Sequence, residues 1–215
     1  MEVYFVRHGE TAANRAHVHQ LGDTPLNERG QKQAQAVGLR LKNLQPTRII
    51  ASPLARAYQT GKIIGEELNL PVTTHDSLVE LKRPNYIMGY KHYGLKSLWY
   101  MASWFVRHND PAWRETGGES YEMFLARIQE AREYLETFQG HERIVVVSHS
   151  IFINFFVEHV CSKRRMSIVE AFLRFAKIIL LDNTSITHLQ FQPSEHDNLC
   201  NWHVVKFDDD THVVA

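Results

Sequence analysis

The sequence predicts an α/β fold with three layers, in which a mostly parallel central sheet carries helices on both faces. Short apolar runs, such as residues 3–6, alternate with longer segments whose apolar residues recur every three or four positions. This alternation is typical of a parallel sheet. The run RIVVVS at 143–148 lacks polar alternation, as expected of a central strand covered on both faces. Apolar runs joined by turns within 178–192 and 201–208 predict an antiparallel edge strand.

The first half of the chain alternates between predicted strands and helices. After the strand at 3–6, Asn27 can cap a helix whose apolar face extends to Leu44. The run TRIIAS at 47–52 predicts a second strand. Ser52 followed by proline predicts the N-cap and first turn of a second helix. The Leu-Pro-Val run at 70–72 ends that helix and opens another short strand.

The second half contains an aromatic-rich excursion at about 84–118, with a proline near each end and paired glycines at its close. We expect one domain over 1–215 with this excursion as a cap-like insertion, whose aromatic side chains pack within it or line a substrate pocket. Ser120 can then cap a long helix, and a further helix is predicted through IFINFFVEHV at 151–160.

Composition excludes several classes of protein. Lys+Arg and Asp+Glu are both 24, so nothing favours nucleic acid or an anionic membrane as the main partner. No apolar run approaches the roughly 20 residues that span a bilayer, and no signal peptide is visible. Cys161 and Cys200 lack C-x-x-C spacing and do not make a disulfide framework, which fits a reducing compartment. We therefore expect a cytoplasmic protein, and its oligomeric state stays open.

Four positively charged or titratable residues follow three of the predicted strands. Arg7 and His8 come just after the first strand, Arg56 lies in the first turn after TRIIAS, and His149 follows RIVVVS. Ligands bind outside the carboxyl ends of the strands in such sheets. Two arginines and two histidines should therefore converge there, and this grouping suits a phosphoryl group.

Several motifs resemble, in order and spacing, the histidine phosphatase superfamily, also called phosphoglycerate-mutase-like. They are RHGETAAN, DTPLNERGQKQA, SPLARAYQT, VVVSHS and NTSITHL. The resemblance implies that His8 attacks phosphorus and forms a phosphohistidine. It implies that Arg7, Arg56 and His149 neutralise the phosphoryl oxygens, and that Asn14 lies near the phosphate. Ser150 departs from the family, in which glycine is common at this position.

The resemblance also implies an acid that protonates the leaving oxygen and later activates water. Glu80, in DSLVELKRP, matches by position, and Glu10, Asp23 and Glu119 are its competitors. No cofactor and no metal are expected, because the arginines supply the charge. The 13 histidines also lack the helical i, i+4 pair with a carboxylate that zinc hydrolases use.

The expected activity is a metal-independent phosphomonoesterase acting on a small phosphorylated molecule. A phosphoglycerate-type mutase is the alternative within enzymes, although Glu80 lacks the Glu-Arg-His-Tyr run of family mutases. A non-catalytic phosphate-binding module is the alternative outside enzymes. A group of basic residues either meets a second anionic group of the substrate or forms a solvated rim: Lys82, Arg83, Lys91, Arg107 and Arg114.

Overall fold

A computed structural model describes residues 1–107, 110, 113, 116–138, 140–161, 181–193 and 200–212. Arg114 lies outside these ranges. The strands are β1 (Glu2–Arg7), β2 (Arg48–Ala51), β3 (Val72–Thr74), β4 (Arg143–Ser148), β5 (Ile186–Phe191) and β6 (Trp202–Asp209). The α-helices are α1 (Ala12–Ala16), α2 (Glu28–Lys42), α3 (Ala55–Leu68), α4 (Leu95–Val106), α5 (Tyr121–Glu136) and α6 (Ser150–His159).

The six strands form one sheet in the order β3-β2-β4-β1-β5-β6. The pairs β2–β3, β2–β4 and β1–β4 are parallel, whereas β5 and β6 are antiparallel additions beside β1. The predicted mostly parallel sheet with an antiparallel edge is therefore confirmed. Arg7 pairs with Ser148 in register, so the carboxyl ends of β1 and β4 lie side by side, where the predicted site belongs.

Alternation along the strands supplies a core on each face of the sheet. Val3 and Phe5 of β1 face a cluster built mainly with α5 and α6, whereas Tyr4 and Val6 face a cluster built with α2 and α3. Successive side chains of a strand point to opposite faces, so one short strand contributes to both cores. This arrangement confirms the three-layer architecture.

The helix starts follow the predicted caps with one exception. The Asn27 side chain accepts a hydrogen bond from Gly30 N at 2.8 Å, and Ser120 accepts one from Met123 N at 3.2 Å. The predicted cap at Ser52 is wrong, because Leu54 is the N-cap of α3 and makes no side-chain capping bond. The Ser52 hydroxyl instead lies 2.8 Å from His149 Nε2.

The excursion at 84–118 is anchored by part of its aromatic content. Tyr100 and Trp104 of α4 are almost fully buried in the core with Tyr121. Trp99 and Tyr93 are instead 71% and 63% exposed. The aromatic side chains on the inward face of α4 therefore pack in the core, as expected. The outward face of α4 is exposed at the surface.

The bonding of the two cysteines was not predicted from the sequence. Cys161, just after α6, forms a disulfide with Cys200, just before β6. One disulfide is not a framework, but the pairing removes the support that these cysteines gave to a reducing compartment. None of the helices that the structure describes is long and apolar enough to cross a membrane.

Candidate active site

The Arg-His-Gly segment is fixed by neighbouring backbone at the end of β1. His8 N donates to Ser148 O of β4 at 3.0 Å, and Arg7 N donates to Ser185 O at 3.2 Å. A side chain on Gly9 would place its Cβ only 2.4 Å from the carbonyl oxygen of Gly30, at the start of α2. The glycine after the histidine is therefore required by the close approach of two backbones.

The hydrogen bonds of His8 select one tautomer of its ring. Nδ1 lies 2.8 Å from Gly9 O, which can only accept, so Nδ1 carries the proton. Nε2 then holds a lone pair, to which Arg56 donates its Nε–H at 3.2 Å. This lone pair is unprotonated but accepts from Arg56, so Nε2 can act as a nucleophile only when a bound anion draws the guanidinium away.

Burial keeps this ring neutral. The pKa of His8 lies well below its usual value, because burial penalises the charged form and because Arg56 and Arg7 repel a proton. A protonated Nε2 could not attack phosphorus. Near neutral pH the electrostatics of the site therefore hold His8 in its nucleophilic form.

Two arginines flank the ring and lack a carboxylate partner. Among the described residues, neither Arg7 nor Arg56 lies within salt-bridge distance of an acidic side chain. Arg56 Nη1 donates to Leu21 O at 3.0 Å and Arg7 Nη1 donates to Leu181 O, while Arg7 Nε is buried without a partner. Burial lowers the pKa of Arg56 to about 10, so it remains a cation at neutral pH. Two unpaired guanidinium groups favour an anionic ligand.

The ring of His149 lies against the ring of His8. It is the N-cap residue of α6 and is fully buried, and its ring centroid lies 5.2 Å from that of His8. Its Nε2 contacts Ser52 Oγ, and its Nδ1 is buried without a hydrogen-bond partner. Burial, followed by Arg56, holds the pKa of His149 well below its usual value. Unlike His8, it does not line the cavity.

The carboxylate of Glu80 lies at the start of α6. Its oxygens accept hydrogen bonds from the backbone N–H groups of Phe152 at 3.2 Å and Ile151 at 3.3 Å, and from Leu81 N at 2.9 Å. Free N–H groups at a helix N-terminus hold a carboxylate in this way. The helix that follows His149 thus also positions Glu80.

The acids that compete with Glu80 differ in whether they line the same cavity. Glu10 lines the same cavity as Glu80, but it accepts from Asn27 Nδ2 at 2.7 Å and lies 3.5 Å from Arg29 Nη1. Glu119 is buried in a two-point ion pair with Arg127 and does not line the cavity. Asp23 is exposed and also lies outside it. Of the acids that the sequence analysis weighed, Glu80 and Glu10 are therefore within reach of a ligand; Asp182 also lines the cavity.

One cavity of about 450 Å³ joins these residues. It is lined by Arg7, His8, Asn14, Arg56 and Glu80 among the predicted residues, and by Ser150. Asn14 accepts from Thr11 N through Oδ1 at 3.2 Å, which leaves its Nδ2 available to a ligand. The structure therefore brings every predicted site residue together. All of them line the cavity except His149, which lies against the His8 ring.

Asn183 also belongs to this wall, and residue-by-residue reasoning missed it. Its Nδ2 donates to His8 O at 2.9 Å. The NTSITHL motif that begins at this residue was the only signal for it. The outer part of the cavity contains His19, His92 and Arg83, which no sequence pattern had grouped.

Metal binding finds no support in the part of the chain that the structure describes. No group of three or more His, Cys, Asp or Glu side chains there is arranged to hold an ion. The positive charge of the site comes from the guanidinium groups.

Comparison with known proteins agrees with this geometry. A sequence model of the histidine phosphatase superfamily (branch 1) matches residues 3–204. The probable phosphoglycerate mutase GpmB of Yersinia pestis (strain Pestoides F) is 44% identical over 82 residues, which are 38% of this chain and 38% of that protein. The match thus spans less than half of the relative's length.

Solved structures share the fold over nearly their full length. A mycobacterial glucosyl-3-phosphoglycerate phosphatase with VO3 has a TM-score of 0.72 and 25% identity, covering 97% of this chain and 99% of that one. A variant of the phosphoserine phosphatase from Entamoeba histolytica with phosphoserine has a TM-score of 0.77 and 21% identity, covering 99% of each chain. A putative alpha-ribazole-5'-P phosphatase from Escherichia coli K-12 has a TM-score of 0.72 and 23% identity, covering 97% and 98%. The last two, below 25% identity, show the fold alone.

Proposed function

Because the chain belongs to the histidine phosphatase superfamily (branch 1), we propose that it is a metal-independent phosphomonoesterase that acts on a small phosphorylated molecule through a phosphohistidine. One observation carries the proposal. His8 is a buried neutral histidine whose unprotonated Nε2 accepts a hydrogen bond from Arg56 Nε at 3.2 Å. A neutral nucleophile held beside an unpaired cation suits attack on an anionic phosphorus centre.

In the first step, the Nε2 lone pair of His8 forms a bond to phosphorus as the bond to the ester oxygen breaks. Arg7 and Arg56 neutralise the phosphoryl oxygens, and Asn14 Nδ2 donates to one of them. Glu80, protonated when the substrate binds, gives its proton to the leaving oxygen, so an alcohol departs and the phosphoryl group stays on His8. His149 orients His8 through ring contact. Loss of one such charge-stabilising donor typically lowers kcat by about 100- to 1,000-fold.

In the second step, water attacks phosphorus and the N–P bond breaks. Glu80, now a carboxylate, takes a proton from this water, and inorganic phosphate leaves with His8 neutral again. The same residue thus serves as acid and then as base. Glu10 is the alternative for this role, because it lines the same cavity.

The excursion at 84–118 fits a cap over this site within a single domain of residues 1–215. Gly89 N donates to His19 O at 2.9 Å, and His92 N donates to His17 O at 2.9 Å. These bonds tie the excursion to the loop after α1, and both segments contribute to the cavity wall. We propose that the excursion limits the size of the alcohol part of the substrate.

A phosphoglycerate-type mutase is the second candidate, favoured by the similarity to a probable phosphoglycerate mutase over 82 residues. A mutase returns the phosphoryl group to the ligand instead of to water. Product analysis separates the two: a phosphatase releases inorganic phosphate in step with substrate loss, whereas a mutase forms an isomer of the substrate.

The test is steady-state hydrolysis of a panel of phosphate esters in EDTA. We expect phosphate release from p-nitrophenyl phosphate and from at least one metabolite ester, and none from His8→Ala. His203→Ala, an exposed histidine of β6 outside the cavity, is the matched control and should retain activity. Wild-type turnover by His8→Ala would contradict the nucleophile. An inactive wild-type protein that still binds vanadate would favour the binding module.

A further inference from the structure

Apart from Arg7 and Arg56, two arginines line the cavity: Arg83 and Arg15, of which Arg15 is exposed. Arg83 is half-buried and lines the cavity, and its Nε is buried without a hydrogen-bond partner. No carboxylate among the described residues lies within salt-bridge distance of it. A buried donor without a partner is rare in a folded protein. The guanidinium is therefore available to a ligand.

The other basic residues near this segment do not share that position. Lys82 and Lys91 are exposed and do not line the cavity. Arg107 is exposed, with its guanidinium 5.7 Å from the Trp113 ring centroid. Of the basic residues that sequence analysis singled out here, Arg83 alone among the described ones lines the cavity.

Two histidines lie beside Arg83 and are held neutral. His19 Nε2 contacts Ser97 Oγ at 2.9 Å, and that hydroxyl donates to Lys91 O at 2.7 Å. Since the serine proton is used, Nε2 of His19 must donate, and Nδ1 keeps a lone pair. Burial and then Arg83 lower the pKa of His19 to about 3 and that of His92 to about 4. At neutral pH, Arg83 therefore carries the positive charge of this group.

None of the acids that line the cavity, Glu10, Glu80 and Asp182, lies within salt-bridge distance of Arg83. Glu10 is engaged with Asn27 and Arg29, and the Glu80 carboxylate accepts backbone N–H groups of α6. Arg83 also lowers the pKa of Arg56, so the two cations act on each other across the cavity. A substrate that places one anion at Arg56 and a second at Arg83 would relieve this repulsion.

We propose that Arg83 binds a second anionic group of the substrate, a carboxylate or a second phosphate, and so selects phosphate esters that carry one. The proposal rests on the proposed phosphatase function. The first anion is the phosphoryl group that His8 attacks. Arg83 acts in substrate binding and takes no part in bond breaking.

The test uses three esters with a common three-carbon chain. They are 3-hydroxypropyl phosphate with a neutral end, 3-phosphooxypropanoate with a carboxylate, and propane-1,3-diyl bisphosphate with a second phosphate. The wild-type protein should show a kcat/KM about 10- to 100-fold higher for at least one of the two anionic esters, the range expected for a charge-assisted hydrogen bond. The anionic ester with the higher kcat/KM shows whether the second anionic group is a carboxylate or a phosphate.

Variants then assign the preference to one side chain. Arg83→Gln should reduce the preference to about threefold or less, mainly by raising KM, and Arg83→Lys should restore part of it. Lys82→Gln removes a neighbouring exposed charge and should keep the wild-type preference. Equal kcat/KM for all three esters in the wild-type protein, or an unchanged preference in Arg83→Gln, would overturn the inference.

Failure of this inference can be told apart from failure of the proposed function. Hydrolysis of p-nitrophenyl phosphate without any preference among the three esters overturns the role of Arg83 only. Absence of hydrolysis of every ester, p-nitrophenyl phosphate included, overturns the phosphatase and this inference with it.

Discussion

Replacing Arg56 by methionine is expected to stabilise the fold while it removes activity. Arg56 is only 3% exposed, and burial is the main cause that lowers the pKa of its guanidinium well below the usual value of an arginine, to about 10. A pKa shift of that size corresponds to about 3 kcal/mol against the charged form. Methionine removes this penalty together with the hydrogen bonds to Leu21 O and His8 Nε2, each worth about 1 kcal/mol.

The expected net gain is about 1 kcal/mol in the free energy of unfolding, or roughly 2–4 °C in Tm for a chain of this size. Urea unfolding followed by circular dichroism measures it, in a buffer without phosphate. Phosphate would stabilise the wild-type protein by occupying the site, by about 2.7 kcal/mol at 100 times Kd. Turnover of p-nitrophenyl phosphate by the variant should fall by about 100- to 1,000-fold.

Arg127→Met is the matched control. Arg127 is also largely buried, but it donates to both oxygens of Glu119 at 3.0 and 2.7 Å. Removing one partner of a buried ion pair costs about 3–5 kcal/mol, so this variant should be destabilised. If Arg56→Met loses as much stability as Arg127→Met, the view that Arg56 is held against a net electrostatic penalty is refuted.

Three further predictions follow from the described contacts. Glu80→Gln should slow esters with poor leaving groups far more than p-nitrophenyl phosphate, and an equal effect on both would transfer the acid role to another residue. Cys161→Ser should lower the free energy of unfolding by about 4 kcal/mol, from the 39-residue separation to Cys200, whereas a loss below about 1 kcal/mol in oxidising buffer would contradict the disulfide. Because the pKa values of His19 and His92 are lowered to about 3 and about 4, the unfolded chain binds protons below about pH 6.5 that the folded protein does not. Stability should therefore fall as the pH decreases from 6.5 towards 4, and a His19→Gln/His92→Gln variant should show a flatter decline in urea titrations.

Much of the fold could be predicted because local signals mark its elements. Asn27 and Ser120 cap helices through their own side chains, and the apolar run at 143–148 lies between two parallel neighbours. The predicted cap at Ser52 is wrong for a non-local reason. Its hydroxyl contacts His149, 97 residues away, and no local pattern encodes that contact. The same holds for the cysteine pair, which has no spacing signature.

The centre of the candidate site was predictable from topology. Parallel strands end at the same edge, so Arg7, His8 and His149 had to meet. The outer wall was not predictable. His19 reaches Ser97 across 78 residues, and this contact depends on how the excursion at 84–118 folds over the loop after α1.

The hydrogen bonds around Arg7 and His8 mean that the site is completed only late in synthesis. Arg7 O accepts from Thr184 N, and His8 O accepts from Asn183 Nδ2, 175 residues further along the chain. A ribosome-bound chain that has emerged only as far as His149 contains every predicted phosphoryl-transfer residue, yet it lacks the segment that holds two of them in place. Such long sequence separations also slow folding. His8 is thus translated among the first residues, while the candidate site around it is completed only after residue 183 has emerged.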